Sequence, residues 1–238
     1  EEFQKAASLN LDCIEFILDY QNAERNPLLT TEGQKQIRML SEKTGVQVLS
    51  ICADYFMEAP LYHENKSLSN ESKKILILLL HAAKELGIRD VVIPCVDHSS
   101  IQQPRTREIF IEKMGEMIPE AERYGVNLSL ETDLNPTEFS NLLRQLDSPK
   151  VTVNYDIGNS ASLGFDPAEE LDAYGKRISD VHIKDRTKGG ASVELGTGNA
   201  DIPCFLNLLK SIQYQGPLIM QSFRDDDGIN IFKSVVRP

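Results

Sequence analysis

The sequence predicts a parallel α/β protein of the (β/α)8 barrel type, in one domain spanning residues 1–238. Seven short β-rich runs alternate with longer amphipathic runs, and three successive helix-to-strand junctions carry a glycine, Gly45, Gly87 and Gly125. No linker or low-complexity stretch interrupts the alternation. An open dinucleotide-binding sheet would carry G-x-G-x-x-G after an early strand, and the sequence has none; Gly196 and Gly198 come late and lack the following strand.

The predicted strands cover residues 12–17, 46–53, 90–96, 126–132, 151–157, 178–183 and 217–223. Their apolar content is nearly continuous until a polar C-terminal tip, as expected of strands buried on both faces. Helices are predicted over 31–44, 69–86 and 106–124, each followed by a glycine suited to a left-handed cap. Asn135-Pro136 and Asp166-Pro167 open two more, because a side-chain oxygen followed by proline fits a first turn. Asp201 caps a segment ending near Tyr214. A barrel of this type has eight strands. Residues 2–9 already read as a helix, so the missing first strand is expected upstream of residue 1, and 229–238 as the start of a last helix. The chain is thus expected to be truncated at both ends.

The 238 residues are 41% hydrophobic and carry a net charge of −11, with lysines and arginines scattered. A nucleic-acid binder concentrates basic residues to neutralise phosphates, so nucleic acid is not an expected partner. No apolar stretch approaches 18 residues, and no membrane span is expected. Cys13, Cys52, Cys95 and Cys204 form no C-x-x-C pair, and three lie in apolar runs where cysteine acts as a small hydrophobe. A reducing, cytoplasmic compartment follows.

In such a barrel, chemistry sits at the C-terminal ends of the strands. The tips offer Glu15, then Cys52 and Asp54, then Cys95, Asp97 and His98. Glu131 and Asp133 follow, then Asn154, Asp156 and Asn159, then His182 and Asp185, and finally Gln221 and Arg224. A carboxylate in an apolar strand is costly unless paired or coordinated. Glu131, Asp156 and His182 come from consecutive strands and make a mixed oxygen and nitrogen set suited to Mn, Mg, Co or Zn. The plainer alternative ties each to a backbone group or salt bridge. Among the histidines, His81 reads as helix packing, His63 as a loop residue, and His98 as a candidate substrate contact.

The tips LSLETD, VNYDIGN and DVHIKD, with ELGTGNAD before the last strand, resemble the xylose isomerase-like TIM barrel superfamily of sugar epimerases and isomerases. Residues 45–61 (GVQVLSICADYFMEAPL) are similar to the third-strand region of its L-ribulose-5-phosphate 3-epimerase branch. The resemblance implies a cytoplasmic, divalent-metal-dependent isomerase or epimerase acting on a small sugar or sugar phosphate, and such barrels are often homo-oligomers. It places the metal ligands on Glu131, Asp156, His182 and the position of Gln221. The family has a glutamate at that last position. Gln can coordinate but cannot accept and return a proton. Glu131 is therefore the implied base, with Asp185, His98 or Glu15 as the second acid and Glu15, Asn159, Lys184 and Arg224 as substrate-binding groups. One-sided isomerisation, dehydration of a keto-inositol, and a non-catalytic sugar-binding barrel remain alternatives. An endonuclease IV-like activity needs more histidine ligands than the four present and a basic face.

Overall fold

The computed structural model describes residues 1–221. Its long strands are β1 (Cys13–Ile17), β2 (Gln47–Cys52), β3 (Asp90–Cys95), β4 (Asn127–Thr132), β5 (Val151–Asp156), β6 (Ile178–Ile183) and β9 (Leu218–Met220). They form one sheet in that order, and the β1–β2, β2–β3, β3–β4, β4–β5 and β6–β9 ladders are parallel. A short antiparallel pair, β7 (Asp185–Arg186) and β8 (Ser192–Val193), lies between β6 and β9 in the chain. Sequential order, parallel pairing and intervening helices are the predicted (β/α) barrel pattern, with seven strands in the main sheet among the described residues. Of the expectations for the ends, a strand upstream of residue 1 is outside this sequence. The segment 229–238, Arg224, and the last residues of the predicted strand 217–223 lie outside the described residues.

The helices α1 (Glu2–Ser8), α2 (Thr31–Thr44), α4 (Lys66–Leu86), α5 (Pro104–Tyr124), α6 (Pro136–Leu146), α8 (Pro167–Tyr174) and α9 (Ile202–Ser211) follow the predicted pattern. Their ends are set by local chemistry. The Thr30 hydroxyl accepts from Gly33 N, and Asn65 Oδ1 accepts from Ser67 N, so α4 begins three residues before the predicted start. Gly45, Gly87 and Gly125 close their helices at φ 78°, 72° and 75°, which a side chain would strain. Two short helices were not foreseen, α3 (Tyr55–Glu58) and α7 (Ile157–Leu163). In the second case the Asp156 side chain accepts from Asn159 N at 2.8 Å, stopping β5 one residue before the predicted strand end.

The chain divides into two compact units, Glu1–Leu134 with Asn141–Val153, and Asn135–Ser140 with residues from 154 on. The first is packed around Leu76, Leu79 and Leu80 of α4, Phe110 and Met114 of α5, and Val91, Val92, Leu128 and Leu130 of the strands, all buried. In the second, Tyr155 stacks on Phe205 with ring centres 4.6 Å apart, and Phe139 packs against Tyr174 at 4.9 Å. Cys52 and Cys95 are buried as expected, whereas Cys13 is half-buried and Cys204 exposed. His81, read as helix packing, is exposed and lies with its ring edge-on to Tyr124. Among the described residues no helix is long and apolar enough to cross a membrane. Leu76→Ala, which empties a fully buried site, is expected to lower unfolding stability by about 2–5 kcal/mol in urea titrations.

Candidate metal and substrate site

In the second unit, β5 ends in Asp156 and β6 presents Asp180 and His182 two residues apart, hence on one face of the strand. All three are buried. His182 offers a ring nitrogen within 4.8 Å of a carboxylate oxygen of Asp156, and the same holds for Asp180. Asp180 was not among the predicted site residues, although its two-residue spacing from His182 on one strand marks the same face. Asn154, two residues before Asp156, lies with its amide Nδ2 3.1 Å from His182 Nδ1. Turned to present its Oδ1, the same amide would accept the Nδ1 proton and leave Nε2 as the ligand atom.

Asp156 has both oxygens engaged. Oδ1 caps α7, and Oδ2 pairs with the Lys184 ammonium at 2.5 Å. Lys184 Nζ also donates to Gln221 Oε1 at 3.3 Å. The side chains of Lys184 and Asp156 are 15% and 1% exposed, so little water screens this pair. Gly158 adds a steric element: a Cβ there would stand 3.0 Å from the Lys184 backbone and from its Cγ.

Past β6, Asn159 Oδ1 accepts from Arg186 Nη1 at 2.8 Å, and Arg186 Nε and Nη2 donate to Gly190 O. Arg186 was not a predicted site residue, although it closes the HIKDR run. Asp185, predicted as a second acid, is buried and accepts three backbone N–H groups, from Gly196, Gly198 and Ala200, at 2.8–2.9 Å. The glycines of LGTGNAD thus serve a carboxylate: a Cβ on Gly198 would lie 2.2 Å from Asp185 Oδ1. Beneath Asp156, the carboxylate of Glu170 receives the hydroxyls of Tyr155, Tyr174 and Ser160. Burial pushes its carboxyl up, against these hydrogen bonds, and it pushes both tyrosines up as well. No sequence pattern marked Glu170, whose partners come from three separate segments.

The first unit holds a second set of acids. β1 and β2 slip register between Ile14 and Glu15, which brings Glu15 opposite Ser50, and the Ser50 hydroxyl donates to Glu15 Oε2 at 2.7 Å. Cys52 donates its thiol to Asp54. Burial pushes that thiol well up, and the negative charges of Glu15, Asp54 and Glu131 push it further. Glu131, buried near the end of β4 and opposite Pro94, likewise raises Cys95, after burial and Asp133. Glu131 and Glu15 therefore contribute to one negative field within this unit. His98 is exposed on the turn Asp97–Ser99.

Buried carboxylates, an imidazole nitrogen and an amide oxygen, as the second unit presents them, fit a hard or borderline divalent cation. A sequentially wound β/α fold with such donors at its strand ends defines a barrel of the sugar-isomerase architecture. The chain belongs to the xylose isomerase-like TIM barrel family, whose family model matches residues 3–236, and the resemblance drawn from its motifs is borne out. It is 27% identical to L-ribulose-5-phosphate 3-epimerase UlaE of Escherichia coli K12 over 235 residues, covering 94% of this chain and 82% of the relative. Two solved structures share the fold. A D-tagatose 3-epimerase-like protein has a TM-score of 0.79 and 20% identity over 98% of this chain and 90% of the other. The IOLI protein with a bound zinc atom has a TM-score of 0.80 and 18% identity over 99% and 87%.

Two outcomes are expected. Gly198→Ala forces its Cβ onto Asp185, and the thermal midpoint should fall by several degrees in calorimetry, about 2–4 °C for each kcal/mol lost. Because the folded state raises Glu170 above its ordinary 4.5, the folded form holds this proton more tightly than the unfolded one. Stability from this group is therefore full below about pH 4.5 and declines until its raised pKa is passed. In denaturant titrations across mild acid, Glu170→Gln should remove that part of the decline.

Proposed function

We propose that this protein is a divalent-metal-dependent isomerase or epimerase of a small ketose or ketose phosphate, acting by proton abstraction next to a carbonyl. The Asp156–His182 pair within 4.8 Å carries the reading. The family and the UlaE relative support the substrate class, and a family match over residues 3–236 supports a single barrel domain. Glu131, Asp156, His182 and Gln221 would hold the ion, through two carboxylates, an imidazole and an amide oxygen. When bound, the ion polarises the substrate carbonyl and stabilises negative charge developing on its oxygens.

Glu131 serves as the base that takes the proton from the carbon beside the carbonyl. Its carboxylate is buried at the end of β4, which limits the water that could compete for the proton. Gln221 cannot receive a proton on the other face, because an amide has no accessible titration there. Asp185 is committed to three backbone N–H groups. The second proton role therefore falls to His98 or Glu15, with Glu15 oriented by Ser50. Asn159, with Arg186 holding its amide, binds substrate oxygens. Lys184, Glu15 and Arg224 complete the proposed substrate contacts; Arg224 lies outside the described residues.

The Lys184–Gln221 contact favours a second reading, a sugar-binding barrel without turnover. Proton exchange separates the two. With L-ribulose 5-phosphate as the probe in heavy water with Mn²⁺, deuterium should enter the sugar beside the carbonyl by NMR. Glu131→Gln should slow that exchange about 10²–10⁴-fold, the usual contribution of a positioned base. Saturable sugar binding with no exchange in the wild type would establish the binding reading and end the enzymatic one.

A further inference from the structure

We infer that Lys184 is a tethered internal cation that competes with the divalent ion for Asp156 and Gln221, so that metal binds only as Lys184 withdraws. This rests on the metal-centre reading above.

Three observations converge on it. The ammonium meets two of the proposed ligands at once, Asp156 Oδ2 at 2.5 Å and Gln221 Oε1 at 3.3 Å, and a metal ion would require those same oxygens. The Lys184 side chain is only 15% exposed, and a mostly buried ammonium is stable there only because a carboxylate neutralises it. Its stem is also seated by shape. Gly158, the glycine of DIGN, leaves the space that the Lys184 Cγ and backbone fill, since a Cβ there would crowd them at 3.0 Å.

The substitution of Gln for Glu at position 221 makes this competition matter. A glutamate there would give Asp156 and position 221 two carboxylates, one to neutralise the ammonium and one left for the ion. With Gln221 the pair holds a single carboxylate, Asp156, and Lys184 offsets its charge before any ion arrives. These groups then offer a +2 ion no net charge, where the same groups without the lysine offer −1. Coulomb attraction at this distance and low exposure is strong enough for one charge to change affinity by at least about tenfold. The protein then has two discrete states of one site, a lysine-closed state and a metal-loaded state, with Asp156 exchanged between them.

The test is Mn²⁺ and Zn²⁺ affinity by isothermal calorimetry on the full chain, for wild type, Lys184→Met, Lys184→Gln, Gln221→Glu and His182→Ala. Thermal unfolding of each variant would verify that it is folded. Both lysine variants should bind at least about tenfold more tightly than wild type, and His182→Ala should bind at least about tenfold more weakly. Gln221→Glu should also tighten binding, and the gain from Lys184→Met should be smaller in the Gln221→Glu background, since the two changes relieve the same charge deficit. If wild type binds metal, His182→Ala loses it, and both folded lysine variants bind equally or more weakly, the inference is overturned while the metal centre stands. If no variant binds metal, Gln221→Glu included, both fall.

Discussion

The site depends on the carboxylate of Asp156, placed where a fully buried strand ends. A carboxylate taken out of water must be met by donors or cations, or the fold will not tolerate it. Here one oxygen caps α7 and the other pairs with Lys184. The first bond ends β5 and turns the chain, so that Gly158 and Asn159 follow directly. Through Gly158 the turn seats the stem of Lys184, and through Asn159 it orders Arg186 and so the hairpin carbonyl of Gly190. One side chain thus connects the strand end, the helix start and the loop beyond β6.

Support for that residue comes from buried neighbours. Tyr155 precedes Asp156 and is fastened from both sides, by its ring on Phe205 and its hydroxyl on Glu170. Glu170 collects three hydroxyls, which makes its buried carboxyl tolerable and fixes α8 against β5. Asp185 does comparable work one strand later, ordering the Gly196–Ala200 backbone by accepting three N–H groups. Loops carrying function need such rigid anchoring, because proton transfer is sensitive to displacements below an ångström.

The change at position 221 has consequences for chemistry and for charge. An amide retains an oxygen for coordination and loses the ability to shuttle a proton. It also removes a negative charge from a site that already contains an ammonium. Under the proposed metal-centre reading, position 221 would therefore bear on which faces of a substrate can be protonated and on how firmly an ion is held.

Much of this was legible in the amino-acid sequence. Strand and helix alternation, the glycine caps at Gly45, Gly87 and Gly125, and the ionisable residues at the ends of apolar runs are local signals, and they pointed to Glu131, Asp156 and His182, whereas Gln221 entered as a ligand position only through the family resemblance. Periodicity and capping need only neighbours in the chain. The residues that were misread or missed have partners far away in sequence. Asp185 read as a second acid because its hydrogen-bond partners begin only at Gly196, and Glu170 went unmarked because Tyr155 and Ser160 come from before its helix. Ile157 read as strand because its apolar side chain continues the run, while the bond ending the strand is made by Asp156 to Asn159. Composition and order set which groups were available. Only tertiary packing decided which buried charges face one another, since burial removes water and leaves each ionised group dependent on whatever donor the fold brings within about 3 Å.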